Sequence, residues 1–400
     1  MRIAILADLH LGYERFREDA YRQAYDAVEK ASGSADIILI AGDIFDFRHP
    51  KPDVIAEGLT IFRMACGRMN GASVKEIEGE AKDRTYTEIP IIAIPGTHER
   101  RASDATDAVD LLAMAGLIVD AGNSKVTVEG LSGERVSIHG IAGTSEERFG
   151  EMLKVLSPSP DEGAFNVLMF HQSLYELLPF SEDFLRMEEL PGGFDLYVDG
   201  HIHNRVEKKC HGADFLIPGS TVLTQLKEGE QEGKGFFIYD TRDRSYSFNG
   251  IRSRRFVVVR ENVEGKRPRE VSEETEKKIE SIISSEEEKP IIRVELEGRL
   301  MDGFRSSDLE IQGMGRTFAN DAFIEIAKGD VKSSETDAEL EDLRSGTMDN
   351  ISIKDYGLSI FLGKLKEKGY GLAIGPSALF EILSSDKKEV AIKEALDKLL

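Results

Sequence analysis

The sequence predicts a layered α/β fold, followed by a small α+β domain and a helical C-terminal tail. Three observations predict it. Over residues 1–249, short apolar runs alternate with helical patterns and with Gly, Pro and Asp turns. After Ile251 the pattern gives way to a basic stretch, a charged helix and alternating strands. Carboxylates and imidazoles recur where the apolar runs of the first region end, so loops at strand ends carry the chemistry.

The elements follow in order. A strand over 3–7 runs into Asp8-Leu9-His10, and a helix with apolar residues at three- and four-residue spacing covers 19–31. The next strand, 37–41, ends at Gly42-Asp43 and leads to a helix over 52–69. Residues 91–94 form a strand that ends in Pro95-Gly96-Thr97-His98-Glu99, followed by a helix over 103–115. Strands at 136–141, 167–170 and 196–198 follow, the second ending at His171 and the third at Gly200-His201-Ile202-His203. The first domain therefore spans 1–250.

The second domain, 251–330, opens with a strand at 256–259 inside a run containing Arg252, Arg254, Arg255, Arg260, Lys266, Arg267 and Arg269. A charged helix over 272–285 precedes a half-buried strand, in which Ile292, Val294 and Leu296 alternate with charged residues, and 323–327 repeats the alternation. Residues 331–352 are polar and acidic and read as a linker. In the tail, 353–400, Leu358, Phe361, Leu362 and Leu365 share one helical face, and Asp386 with Glu389 forms a capping box. So short a helical segment buries little apolar surface alone and is expected to dock, on its own chain or on a partner's helices.

Composition narrows the function. A chain of 400 residues exceeds what one core serves, and a hydrophobic content of 40% is ordinary for a globular protein. No run of about 18 apolar residues exists to span a membrane. The start runs straight into a strand without a charged-then-apolar leader, and Cys66 and Cys210 lie in no metal-ligand spacing, so a reducing cytoplasm is expected. The net charge of −22 argues against a general nucleic-acid coat, since phosphate binding releases counterions. It does not exclude a local basic groove or bound cations.

The strand-end residues suit a two-metal centre. Mn2+ and Mg2+ accept carboxylate and imidazole, and paired ions about 3.5–4 Å apart serve phosphoryl transfer. Asp43 is the best candidate for a bridging carboxylate. Asp8 with His10, and His201 with His203, point the same way at two-residue spacing, and His171 completes the set. His98 is placed to meet a phosphate oxygen and protonate a leaving alkoxide, with Glu99 beside it to orient the ring. His139 in a strand and His211 in a loop read as structural. His49 lies in a Pro-flanked loop near Asp43, where it could touch substrate.

The blocks DLHLG, GDIFD, GTHE, FHQS and GHIH, in that order, resemble the calcineurin-like metallophosphoesterase superfamily. Within it, the small domain and helical tail look like the double-strand-break repair nucleases of the meiotic-recombination-eleven or SbcD type, in their archaeal form. The resemblance implies a metallophosphoesterase β-sandwich flanked by helices and a nuclease, both exonuclease and endonuclease, acting on double-stranded and single-stranded DNA ends. It implies two Mn2+ per subunit, or Mg2+. Asp8, His10, Asp43 and His203 would hold one ion, Asp43, His171 and His201 the other, and His98 would be the acid. It further implies a homodimer, an SMC-like coiled-coil ATPase of the SbcC type docked on the C-terminal helices, and a cytoplasmic, nucleoid-associated location. Residues 251–330 would form a DNA-binding cap, with Arg252, Arg254 and Arg255 as contacts. The family's usual Asn ligand is Thr97 here, a poorer donor that would weaken one ion or recruit water. A phosphoesterase for other phosphate esters and a DNA-end-binding scaffold remain the alternatives. Ile61, Phe62, Met64, Leu111, Leu112 and Met114 suit an intersubunit helix surface or a monomer core.

Overall fold

The computed structural model describes residues 1–66, 73–76, 82–85, 89–99, 106–178, 184–309, 311 and 313–332. The tail helices and the capping box at Asp386 lie outside the described residues. The chain divides into two compact units, the first comprising Met1–Val258, Glu286–Arg293 and Asp321–Phe323.

Two sheets build the first unit. One has the order Ser245–Gly250, Gly235–Asp240, Arg2–Leu6, Ile37–Ala41, Ile91–Ile94 and Val119–Asp120. Its last four strands run parallel. The other has the order Val206–Cys210, Ala213–Ile217, Leu196–Asp199, Phe165–Phe170, Arg135–Ile141, Lys125–Glu129, Ser73–Glu76 and Lys82–Thr85. Here the four strands from Ala213–Ile217 to Arg135–Ile141 are parallel.

The two-residue period of each strand sorts its side chains into layers. In the first strand Ile3, Ile5 and Ala7 enter the core that also holds Val126, Ile138, Val167, Met169 and Val198, between the two sheets. Ala4 and Leu6 face the other way, toward Ala24, Ala27 and Val28 of the helix Arg17–Ser34 and Ile61 and Phe62 of the helix Pro52–Cys66. Alanines on the buried face of the first helix let it lie close on the sheet. The outer face of the second sheet buries Leu168, Phe170, Tyr197 and Phe215 with Phe149 and Leu153 of the helix Glu146–Leu156. The result is a helix–sheet–sheet–helix stack.

Of the residues read as a possible intersubunit surface, Ile61, Phe62 and Leu112 are buried in this core. Leu111 and Met114 stay exposed. The helix begins later than the sequence predicts, at Ala108–Met114, because Asp107 and Asp110 cap it reciprocally; residues 100–105 lie outside the described residues.

The second unit comprises Val259–Ser285, Val294–Asn320 and the chain from Ile324. It contains the helix Pro268–Ser284, whose Val271, Thr275 and Ile279 are buried, and most of a sheet ordered Phe256–Asn262, Ile291–Arg299, Phe323–Lys332. Within this unit Glu261 is buried and accepts from both Lys266 and Lys278. Among the described residues no helix is long and apolar enough to cross a membrane.

Candidate metal centre

The parallel strands of both sheets deliver their C-terminal ends to one rim, the usual place for a site in open α/β sheets. Leu6, Ala41 and Ile94 lead to Asp8, Asp43 and His98 from the first sheet, and Phe170 and Asp199 lead to His171 and His201 from the second. The chain turns abruptly there. Asp8, His10, Asp43 and His201 all have positive φ, between 46° and 68°, a conformation L residues adopt at a cost. Glycines make the approach possible. A Cβ on Gly96 would come within 2.1 Å of Asp43 Oδ1, and one on Gly200 within 2.0 Å of the Ala41 carbonyl.

Three groups of ligand atoms result among the described residues. Asp8, His10 and His203 form one, Asp43, His171 and His201 another, and His10, Asp46 and His98 a third that shares His10 with the first. Asp8, His10 and Asp43 come from the first sheet, and His171, His201 and His203 from the second, so the Asp8 and Asp43 groups each join both sheets. His10 Nε2 and His203 Nε2 face each other at 3.1 Å, and Asp8 Oδ1 lies 3.9 and 3.8 Å from them. His171 Nε2 comes within 3.1 Å of Asp43 Oδ2, yet it is buried without a hydrogen bond. Asp8 Oδ2 is likewise buried and unpartnered. Buried polar atoms are rarely left so. Converging, unsatisfied oxygen and nitrogen donors fit divalent cations better than they fit one another.

Burial and mutual charge set the protonation of these groups. Burial raises the Asp8 carboxyl to about 6, against the pull of the His171 imidazole. Burial also acts to raise Asp43, but His171, His10 and His98 around it hold it well below the usual carboxylate range. Burial alone would lower His171; the Asp43 carboxylate outweighs it and raises His171 to about 10. His201 and His203 are pushed down by burial, to about 4 and about 2, so both rings are neutral, the form that ligates.

Nδ1 atoms are held from behind. His171 Nδ1 donates to the Ala41 carbonyl at 2.7 Å, and His203 Nδ1 meets the Thr224 hydroxyl. His98 Nδ1 donates to the Asp46 carbonyl at 2.7 Å, which leaves its Nε2 4.0 Å from Asp43 and open toward the rim. Thr97 sends its hydroxyl to Asp43 Oδ2 at 3.5 Å.

Glu99 does not take the role expected of it. Its buried carboxyl accepts from the Phe45 and Gly96 amides at 2.7 and 2.8 Å, tying together the loops that carry Asp43 and His98. Two backbone donors hold it away from the His98 ring, and burial raises it to about 8.

Several residues at the centre were not singled out in the sequence. Asp46 accepts from His10 Nδ1 at 3.0 Å and lies 3.7 Å from His98 Nδ1. Lys234 is buried and donates to the His203 carbonyl, Ser220 Oγ and Glu230 Oε1, at 3.1, 2.9 and 2.7 Å. Glu230 also accepts from the Thr224 and Gln225 amides, so one buried ion pair braces the loop behind His203.

The basic stretch is engaged elsewhere. Arg254 grips Asp19 with two nitrogens at 2.7 and 2.9 Å, its side chain only 16% exposed. That departs from the expected DNA contact, because a carboxylate at that distance has already claimed the guanidinium. Arg252 pairs with Glu288 and Arg255 with Glu286, but both arginines stay mostly exposed. His139 is buried against Phe194, and His211 Nε2 meets the Leu190 carbonyl at 2.8 Å.

The calcineurin-like phosphoesterase family matches residues 1–205. Similar curated proteins include the DNA double-strand break repair protein Mre11 of Methanopyrus kandleri, 30% identical over 60% of this chain and 54% of its own length. Those of Archaeoglobus fulgidus and Thermoplasma acidophilum are each 27% identical, over 78% and 73% of this chain and 65% and 76% of their own. The chain thus spans about half the length of the Methanopyrus relative.

Proposed function

The chain belongs to the calcineurin-like phosphoesterase family, and from that premise we propose that it is a manganese-dependent DNA nuclease that processes double-strand-break ends. The observation that carries the proposal is the pair of ligand clusters at the rim, with His98 beside them. Asp8, His10 and His203 would hold one ion and Asp43, His171 and His201 the other, with Asp43 between them. Two divalent cations there would supply positive charge to a phosphodiester and activate water for in-line attack.

The protein's own groups do the rest. The neutral rings of His201 and His203 remain available as ligands. The Asp46 carbonyl accepts from His98 Nδ1 and fixes the ring, so Nε2 would face the phosphate and, carrying the ring's second proton, would hand it to the leaving oxygen. Glu99 holds the Asp43 and His98 loops together.

The relatives' printed names motivate DNA ends as the substrate. Arg252 and Arg255 are the exposed cations we assign to DNA, since surface ion pairs with Glu288 and Glu286 cost little to exchange for phosphate. Homodimerisation, with Leu111 and Met114 on the contact face, a coiled-coil ATPase on residues 353–400, and a place on the cytoplasmic nucleoid complete the proposal.

End-labelled duplex DNA digested with Mn2+, Mg2+ or chelator, beside Asp43→Ala, tests it. Manganese-dependent shortening that the variant loses by about 10²–10³-fold or more is expected. DNA bound but never shortened would favour a scaffold, the reading that the Thr97 hydroxyl near Asp43 supports.

A further inference from the structure

Beside the metal centre the surface opens into a cavity of about 560 Å3, lined by Gly12, Glu14, Arg17, Phe47, Arg48, His49, Lys51 and Val54. That volume lies within the range of small-ligand sites, about 300–1,000 Å3. Both walls are direct continuations of the centre. Gly12 follows His10 by two residues, and Phe47 follows Asp46, the residue that touches the His10 ring.

The lining has two characters. Phe47 is 45% exposed, an unusual state for an aromatic side chain inside a concave wall. Around it stand three cations, Arg17, Arg48 and Lys51, against one carboxylate, Glu14. Arg17 is committed to Asp53 and Glu57 at 2.5 and 3.1 Å and serves as wall. Lys51 meets Glu14 only at 3.7 Å, with both side chains more than 70% exposed, a pair that water and salt screen. Gly12 keeps the cavity open. Its φ is +90°, and a Cβ there would come within 2.9 Å of Val54, so the position takes no side chain.

An exposed aromatic ring among cations, next to a candidate phosphate centre, matches one ligand class in particular. We propose that this cavity binds the nucleotide flanking the scissile phosphate, its base stacked on Phe47 and its phosphate met by Lys51 and Arg48. The assignment rests on the nuclease reading above and adds a base-recognition subsite to it. Stacking tolerates every base, because each has a π-face, so the subsite distinguishes a base-bearing end from an abasic one without reading sequence.

Binding of dAMP and of 2-deoxyribose 5-phosphate to the full chain, measured calorimetrically in chelator, isolates the cavity from metal-bound phosphate. The wild type is expected to bind dAMP about tenfold more tightly than the sugar phosphate. In Phe47→Ala that ratio falls to about one, and Phe47→Trp retains it. Lys51→Glu weakens both ligands together. Equal binding of the two ligands by the wild type overturns the assignment, as does an undiminished ratio in Phe47→Ala. Hydrolysis of bis(p-nitrophenyl) phosphate with Mn2+ reports separately on the nuclease reading. Turnover without base preference removes the subsite alone. Base preference without turnover of any phosphodiester supports the subsite and removes the nuclease.

Discussion

The rim of the two-sheet unit and the basic stretch that begins at Arg252 are both dense in charge, yet they spend it differently. At the rim, Asp8 Oδ2 and Asp199 Oδ2 are buried with nothing to bond, and His171 Nε2 is buried without a hydrogen bond although Asp43 Oδ2 lies 3.1 Å away. In the basic stretch Arg252, Arg254 and Arg255 each already hold a carboxylate, and Lys266 holds two. A buried polar atom without a partner costs about 1–3 kcal/mol, so a fold that retains several at one place is built around something else that binds there. Paired surface cations carry no such message. Residue type alone therefore misleads; what matters is whether the valence is left over after folding.

The comparison can be broken most sharply at His98. Its replacement by alanine should lower cleavage of end-labelled DNA by about 10²–10⁴-fold while leaving the DNA dissociation constant within twofold or so. Cleavage that survives would mean that the open Nε2 is idle. A smaller effect is expected behind the rim. Lys234→Met removes the cation that holds the His203 carbonyl, and titration calorimetry should show one Mn2+ site weakened by about 10–100-fold, with the other unmoved. If Glu230→Gln/Lys234→Met, which removes both charges, binds metal like the wild type, the ion pair is a packing device only.

The spent charges predict less. His139, on the strand Arg135–Ile141 of the second sheet and in none of the ligand clusters, sharpens the point through pH. Burial lowers its imidazole from 6.5 to about 4, so the unfolded chain takes up that proton at higher pH than the folded one. Stability should fall by up to about 3 kcal/mol as pH drops from 6.5 to 4, and hold steady above. Urea denaturation of His139→Gln should lack that slope; an identical slope would assign the loss to other groups. The smallest effects belong to Arg252→Ala and Arg255→Ala. Each should change stability by under about 1 kcal/mol and reduce the salt slope of DNA binding by about one counterion. An unchanged slope in both would place the DNA elsewhere.

How much of this was visible in the sequence follows from distance along the chain. The candidate ligands were legible because each lies within a few residues of a strand end, as Asp8 does of Leu6 and His171 of Phe170. Asp46 was not, although it sits in a quoted block, because its partner His10 lies 36 residues away. Lys234 was not singled out, because nothing next to it in sequence marks a lysine as buried; only the packed loop places it behind His203. Strands such as Val206–Cys210 escaped notice because their middle is charged and exposed at a sheet edge. The helix Glu146–Leu156 was missed too, although Ser145 before two glutamates is a helix start and the left-handed Ser157 a stop. Arg254 read as a free cation because Asp19 stands 235 residues earlier.

That the Asp8 and Asp43 clusters each draw side chains from both sheets has a mechanical consequence. His10 and His203 are 193 residues apart, so an ion held by both would work as a rivet through the sandwich, closing a loop most of the domain long. A cation at about a hundred times its dissociation constant adds about 2.7 kcal/mol of resistance to unfolding. Starving the protein of metal would then silence it and loosen the joint between its two sheets at once.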